Sequence, residues 1–172
     1  MNKAGPDFGW EDIKAPATQT KVGSNLKPDF DFTNLGLLFP QDDATEIAYV
    51  ILQFPHNRRD NSPIHPHIHY LQTSSASPTF KIDYRWYENN ATPGAFTTIA
   101  QVGNAFPYSS GSIIQIATFP EIDGTAIQSV SSIFEAKIYR DDDAVTGDVL
   151  YKEFDLHYQI DQPLGSRNEF IK

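Results

Sequence analysis

The sequence contains no cysteine. Disulfide staples, a thiolate nucleophile and a cysteine-ligated zinc are thereby excluded, and stability has to come from packing or from association. Basic residues are scarce: 13 lysines and arginines stand against 22 aspartates and glutamates, a formal net charge of -9. Duplex nucleic acid and anionic membrane surfaces both require a basic stripe, and with none present neither is an expected partner. No window approaches the length of a membrane span, and the opening MNKAGPDFGWEDIK lacks the apolar core of a secretion signal, so a soluble product kept in the cytoplasm is expected. Helical periodicity is also missing. Only Thr125 to Ser132 is a helix candidate, set against several β-branched and serine positions.

Aromatic residues, mostly Phe and Tyr, form 13% of the 172 residues, and Met occurs once, a composition suited to a pleated, half-buried surface. The length fits one domain with a proper core. Alternation is clearest in Thr79 to Tyr87, where Phe80, Ile82, Tyr84 and Trp86 oppose Lys81, Asp83 and Arg85. The segment from Val149 to Asp161 sets Leu150, Phe154, Leu156, Tyr158 and Ile160 against Tyr151, Glu153, Asp155, His157, Gln159 and Asp161. Glu46 to Phe54, EIAYVILQF, is apolar at nearly every position, which predicts a strand covered on both faces or placed at the centre of an assembly. Shorter runs at 34–40, 96–102, 112–119 and 130–140 complete about eight strands punctuated by turn signals. The expectation is an all-β protein, an antiparallel β-sandwich with jelly-roll topology preferred over an immunoglobulin-like one. Residues 1–29 read as an extended arm with Phe8 and Trp10 as apolar anchors on a neighbouring subunit. Residues 30–161 form the sandwich, and 162–172 a C-terminal tail.

The stretch from Gln53 to Gln72, QFPHNRRDNSPIHPHIHYLQ, holds four of the five histidines. In a strand, His65, His67 and His69 share one face while Ile64, Pro66, Ile68 and Tyr70 take the other. Pro66 predicts an edge strand or a bulge. Such a ladder can hold a metal, with His67, His69 and His157 as the natural ligands and Asp155 beside His157 in the pleat. The simpler reading, a polar face bonded to acids or paired across a subunit interface, is preferred, so no metal and no cofactor are expected. Cupins use a strand His-x-His with a nearby Glu and a later His. After His69 this chain reads YLQTSSASPTF, without the carboxylate or the framing glycines, which disfavours that chemistry.

Other constellations are weaker. Asp141, Asp142, Asp143 and Asp148 lack the spacing of an EF-hand and read as a solvated acidic hairpin. Phe106 and Tyr108, in the loop NAFPYSSGS, could stack on sugars. Ser109, Ser110 and Ser166 have no nucleophile elbow, so a serine hydrolase is not supported.

One pattern runs through most of the chain: Trp10, Asp12 and Pro16; Gln53, Pro55 and His56; Pro66-His67-Ile68-His69 followed by Tyr70; Tyr84 and Trp86; Arg140 and the hairpin with Asp148; then Asp155, His157, Tyr158 and Asp161 leading into Gly165-Ser166. In this it resembles a widespread family of small structural proteins of tailed bacteriophages and prophages. It departs from the family in having Tyr70 where tryptophan is commoner, and in the extra His65. The resemblance implies a virion protein rather than an enzyme. It would be a homotrimer that decorates or cements the capsid, with the major capsid protein as partner, located on the capsid surface after synthesis in the host cytoplasm. The face of His65, His67, His69, His157 and Asp155 would then be a structural polar network. The alternatives are a host-glycan recognition module of head or tail and, third, a cupin-like metal-dependent enzyme.

Overall fold

Alternating side chains set the architecture. In the computed structural model, which describes residues 9–24, 26–41, 44–125, 131–141 and 143–160, Phe80 and Ile82 are fully buried and Lys81 and Asp83 face outward. The same period organises twelve strands, and there is no helix among the described residues. They are β1 (Trp10–Pro16), β2 (Lys21–Val22), β3 (Asp29–Asp31), β4 (Gly36–Phe39), β5 (Ala48–Gln53) and β6 (Ile64–Gln72), then β7 (Phe80–Tyr87), β8 (Thr97–Ala100), β9 (Gly103–Asn104), β10 (Ile113–Thr118), β11 (Ile133–Arg140) and β12 (Val149–Gln159).

Two antiparallel sheets form, one running β3-β4-β12-β6-β10-β9 with β1 also on β12, the other β2-β5-β11-β7-β8. Within them β4 pairs β12, β5 pairs β11, β6 pairs β10 and β7 pairs β8. A long hairpin rolled over on itself produces this nesting, so the sandwich is a jelly roll. Aromatic side chains fill the space between the sheets. Phe134 of β11 stacks on Tyr84 at 5.8 Å on one side and on Phe154 of the opposite sheet at 6.1 Å on the other. Offset stacks of this kind add to the area they bury.

Three expectations are corrected. Residues 10–22 are part of the sandwich rather than an arm beside it: β1 runs in register with β12 from Trp10↔Gln159 to Pro16↔Glu153, and Ala15 and Ala17 are buried in the core. Phe8, the other expected anchor, and the tail 162–172 lie outside the described residues, as do residues 126–130 of the helix candidate. Second, β6 is central and not an edge, since it pairs β12 on one side and β10 on the other. Pro66 is tolerated because the β10 ladder ends at Thr118↔His67 and resumes only at the Ile64↔Ile122 bridge, leaving an irregular gap opposite the proline. Third, Tyr151 points inward. The register of β12 against β6 slips between Tyr151 and Glu153, a bulge that puts Val149 and Tyr151 in the core on one side of it and Phe154, Leu156 and Tyr158 on the other.

Candidate functional site

Four adjacent strands of the first sheet, β1, β12, β6 and β10, present one outer face. Cross-strand register places Lys14, Asp155, His67 and Thr118 in one row; Asp12, His157 and His65 in the next toward one end; and Glu153, His69 and Ile116 toward the other. Directly opposed residues on the same face of a sheet have their Cβ atoms close enough for side chains to meet. Here they line an open cleft of about 410 Å3.

Asp155 is the hub. Its side chain is 1% exposed although it lies on an outer face, because Lys14, His67 and His69 close over it. The Nε2 atoms of His67 and His69 each lie 3.2 Å from the same oxygen, Oδ2. Lys14 Nζ is 3.6 Å from that oxygen and 3.5 Å from Glu153 Oε1. The other oxygen, Oδ1, is buried and has no hydrogen-bond partner. Burial by itself would raise the carboxyl pKa. The hydrogen bonds from His67 and His69 outweigh it and hold Asp155 well below the usual carboxylate range.

The remaining site residues surround this hub. His157 Nε2 is paired with Asp12, and its ring meets that of His67 edge-on at 4.9 Å. His65 lies 3.8 Å from Glu121 and 5.1 Å, ring to ring, from Trp10. Trp10 therefore packs on its own chain's histidines, yet stays 46% exposed. All of the expected histidine face is brought together, with one change of role. Asp155, not His157, completes the tightest cluster, in which the ligand atoms of His67, His69 and Asp155 lie within 4.8 Å of one another. These side chains point away from the space between the sheets, so they do not build a cupin-type centre enclosed by the sandwich.

The sequence matches no protein-family model and no curated protein. Among solved structures, the chain is similar to that of Eiger TNF from S. frugiperda, at 9% identity and a TM-score of 0.32, over 94% of this chain and 98% of that one. A likeness of this size carries no argument about what the chain does.

Elsewhere, two described aspartates of the acidic hairpin are already paired. Asp143 is taken by Arg140, and Asp141 by Lys81. The Tyr108 hydroxyl is taken up by backbone, 2.8 Å from the Gly111 carbonyl of its own loop and 3.2 Å from that of Thr73 after β6, while Phe106 is exposed. The strand expected over residues 46–54 to be covered on both faces, or to lie at the centre of an assembly, is covered by the described residues on its inner face only. On the outer face of the second sheet β5 presents Tyr49 and Ile51, the latter 69% exposed, beside a Phe96 ring flanked by Arg85 at 4.4 Å and Lys137 at 4.1 Å. The nearly continuous apolar run of residues 46–54 was the available signal. Its inward half, Ala48 and Val50, is core, and its outward half is left uncovered by the described residues.

Proposed function

We propose that this chain is a structural protein of a bacteriophage virion, a capsid decoration protein that binds the assembled major capsid lattice as a homotrimer and has no catalytic role. The observation that carries the reading is Ile51: a large aliphatic side chain, 69% exposed, in the second-sheet face where Tyr49 and Phe96 also stand. A β-branched residue left open at that position fits a partner's surface better than it fits water. The rest of the face is charged in register, with Glu135 opposite Ile51 and Lys137 opposite Tyr49, giving the apolar patch the polar rim of a protein contact.

The resemblance supports the same reading. Trp10, Asp12, His67, His69, Asp155 and His157, scattered along the sequence, meet on the outer face of the first sheet and hold β1, β6 and β12 together. That is a structural use of the motif. Weak contacts by one copy become strong when symmetry repeats them, and a ligand of the assembled lattice stabilises it by mass action.

The test is co-sedimentation with assembled tailed-phage capsids prepared without the chain. Saturable binding at a fixed ratio to capsid protein, with a higher capsid disruption temperature, is the expected result. Failure to sediment with expanded capsids, or equal binding to unassembled capsid subunits, would overturn the proposal.

A further inference from the structure

The geometry points to a binding site for one divalent transition-metal ion of the zinc type, held by His67 Nε2, His69 Nε2 and the carboxylate of Asp155, with water from the cleft completing the shell. The site is independent of the virion reading above.

Three features of the cluster argue for it together. The first is spacing. Zinc bound at about 2.0–2.1 Å by nitrogen and oxygen in a tetrahedron places neighbouring ligand atoms roughly 3.3 Å apart. Both imidazole nitrogens are already 3.2 Å from Asp155 Oδ2. The second is aim. Two rings on alternate residues of β6 converge on a single oxygen from β12, although Glu153 and Asp12 stand in the neighbouring rows. The third is the orphan. Asp155 is 1% exposed, and its Oδ1 has no hydrogen-bond partner. A buried carboxylate oxygen without a partner is costly, and a cation bound at the carboxylate removes that cost.

The donor set, two imidazoles and one carboxylate, suits zinc, cobalt or iron(II) better than the all-oxygen shells of calcium and magnesium. In binding, each imidazole offers the lone pair of Nε2 and carries a proton on Nδ1. Lys14 is the competitor. Its ammonium sits 3.6 Å from Asp155 Oδ2, but its side chain is half exposed and Glu153 is within reach as an alternative partner. The ion would tie the centre of β6 to β12. His157 is excluded from the shell because its Nε2 is engaged with Asp12.

The experiment titrates chelator-stripped full-length protein with zinc by calorimetry and with cobalt(II) by visible absorption. One ion per chain is expected, with cobalt bands of low-symmetry nitrogen and oxygen coordination. His69→Ala and His67→Gln, each checked for folding by circular dichroism, should weaken binding at least about tenfold. His157→Ala should leave the cobalt spectrum unchanged. Lys14→Met keeps all three ligands and should tighten binding, so equal or weaker affinity in that variant would overturn the assignment of Asp155. No saturable binding, undiminished affinity in a folded His69→Ala protein, or loss of the ion with His157→Ala would each overturn the site.

Discussion

The guanidinium of Arg140 and the carboxylate of Asp143 form a two-pronged ion pair, 2.8 Å at Nε and 2.7 Å at Nη2, with both side chains out of solvent. The other guanidinium protons reach the carbonyls of Phe39, Gly147 and Val145, so the pair fastens the 141–148 loop to both sheets. Gly147, with φ of 78°, supplies the left-handed turn that aims its carbonyl at the arginine. Removing one partner strands a buried charge. Asp143→Ala should therefore cost about 3–5 kcal/mol, read from the urea midpoint, while the double change Arg140→Met with Asp143→Leu should recover much of the loss. A single-variant cost below about 1 kcal/mol would show that the loop is held by something else.

The same pair sets an acid limit. Burial would raise the Asp143 pKa, but hydrogen bonds from Arg140 and from the amides of Thr79 and Val145 outweigh it and lower the pKa. The native carboxyl therefore takes up its proton at lower pH than the unfolded chain does. Stability from this group is fully present above the unfolded value of about 4 and is lost as pH falls below it toward the native one. Asp155, depressed in the same direction, acts likewise. Urea unfolding measured at stepwise lower pH should show falling stability, and Asp143→Asn should flatten part of the slope. Stability that rises on acidification would contradict both assignments.

Two glycines give a paired steric test. A Cβ on Gly124 would sit 1.7 Å from the Ser62 carbonyl oxygen, a backbone atom that cannot swing aside, whereas one on Gly94 would meet nothing within 4 Å. Gly124→Ala should destabilise by about 1–3 kcal/mol or more, and Gly94→Ala should stay within about 0.5 kcal/mol of the parent. Thermal melts of the two variants side by side decide it.

For the proposed lattice contact, Ile51→Lys is the sharpest probe. The new lysine can reach Glu135 across the ladder, so the fold should hold within about 0.5 kcal/mol. Capsid binding should fall sharply in the co-sedimentation assay. Unimpaired binding would move the contact away from the second sheet. Removing residues up to Pro16 is a poorer probe than the sequence suggests, because it strips β1 from β12 and takes Ala15 out of the core.

Where alternation was unbroken, the sequence was legible. The inward and outward faces of β6 and β7 follow directly from their period of two, and the outward histidine ladder with them. Reading failed where one residue changes the parity. The bulge in β12 turns Tyr151 inward, and nothing in VLYKEFDLHYQ announces it. It failed again where a partner is distant in the chain. WEDIKAP is too charged, and alternates too poorly, to read as a strand alone, and becomes one because β12 offers a ladder some 140 residues later. The hub role of Asp155 was half visible. Its face was read correctly, but convergence of His67 and His69 on one of its oxygens depends on the β6-β12 register.

That register has a consequence for synthesis. β12 lies between β6 on one side and β1 and β4 on the other, so the first sheet has no middle until the last of its described strands is made. On the ribosome, β1, β4 and the histidine-bearing β6 must wait with open edges, exposed to other copies of themselves. A pattern dominated by such long-range pairing closes slowly, on the order of milliseconds to seconds. A truncated product lacking β12 would keep those edges open and is expected to aggregate.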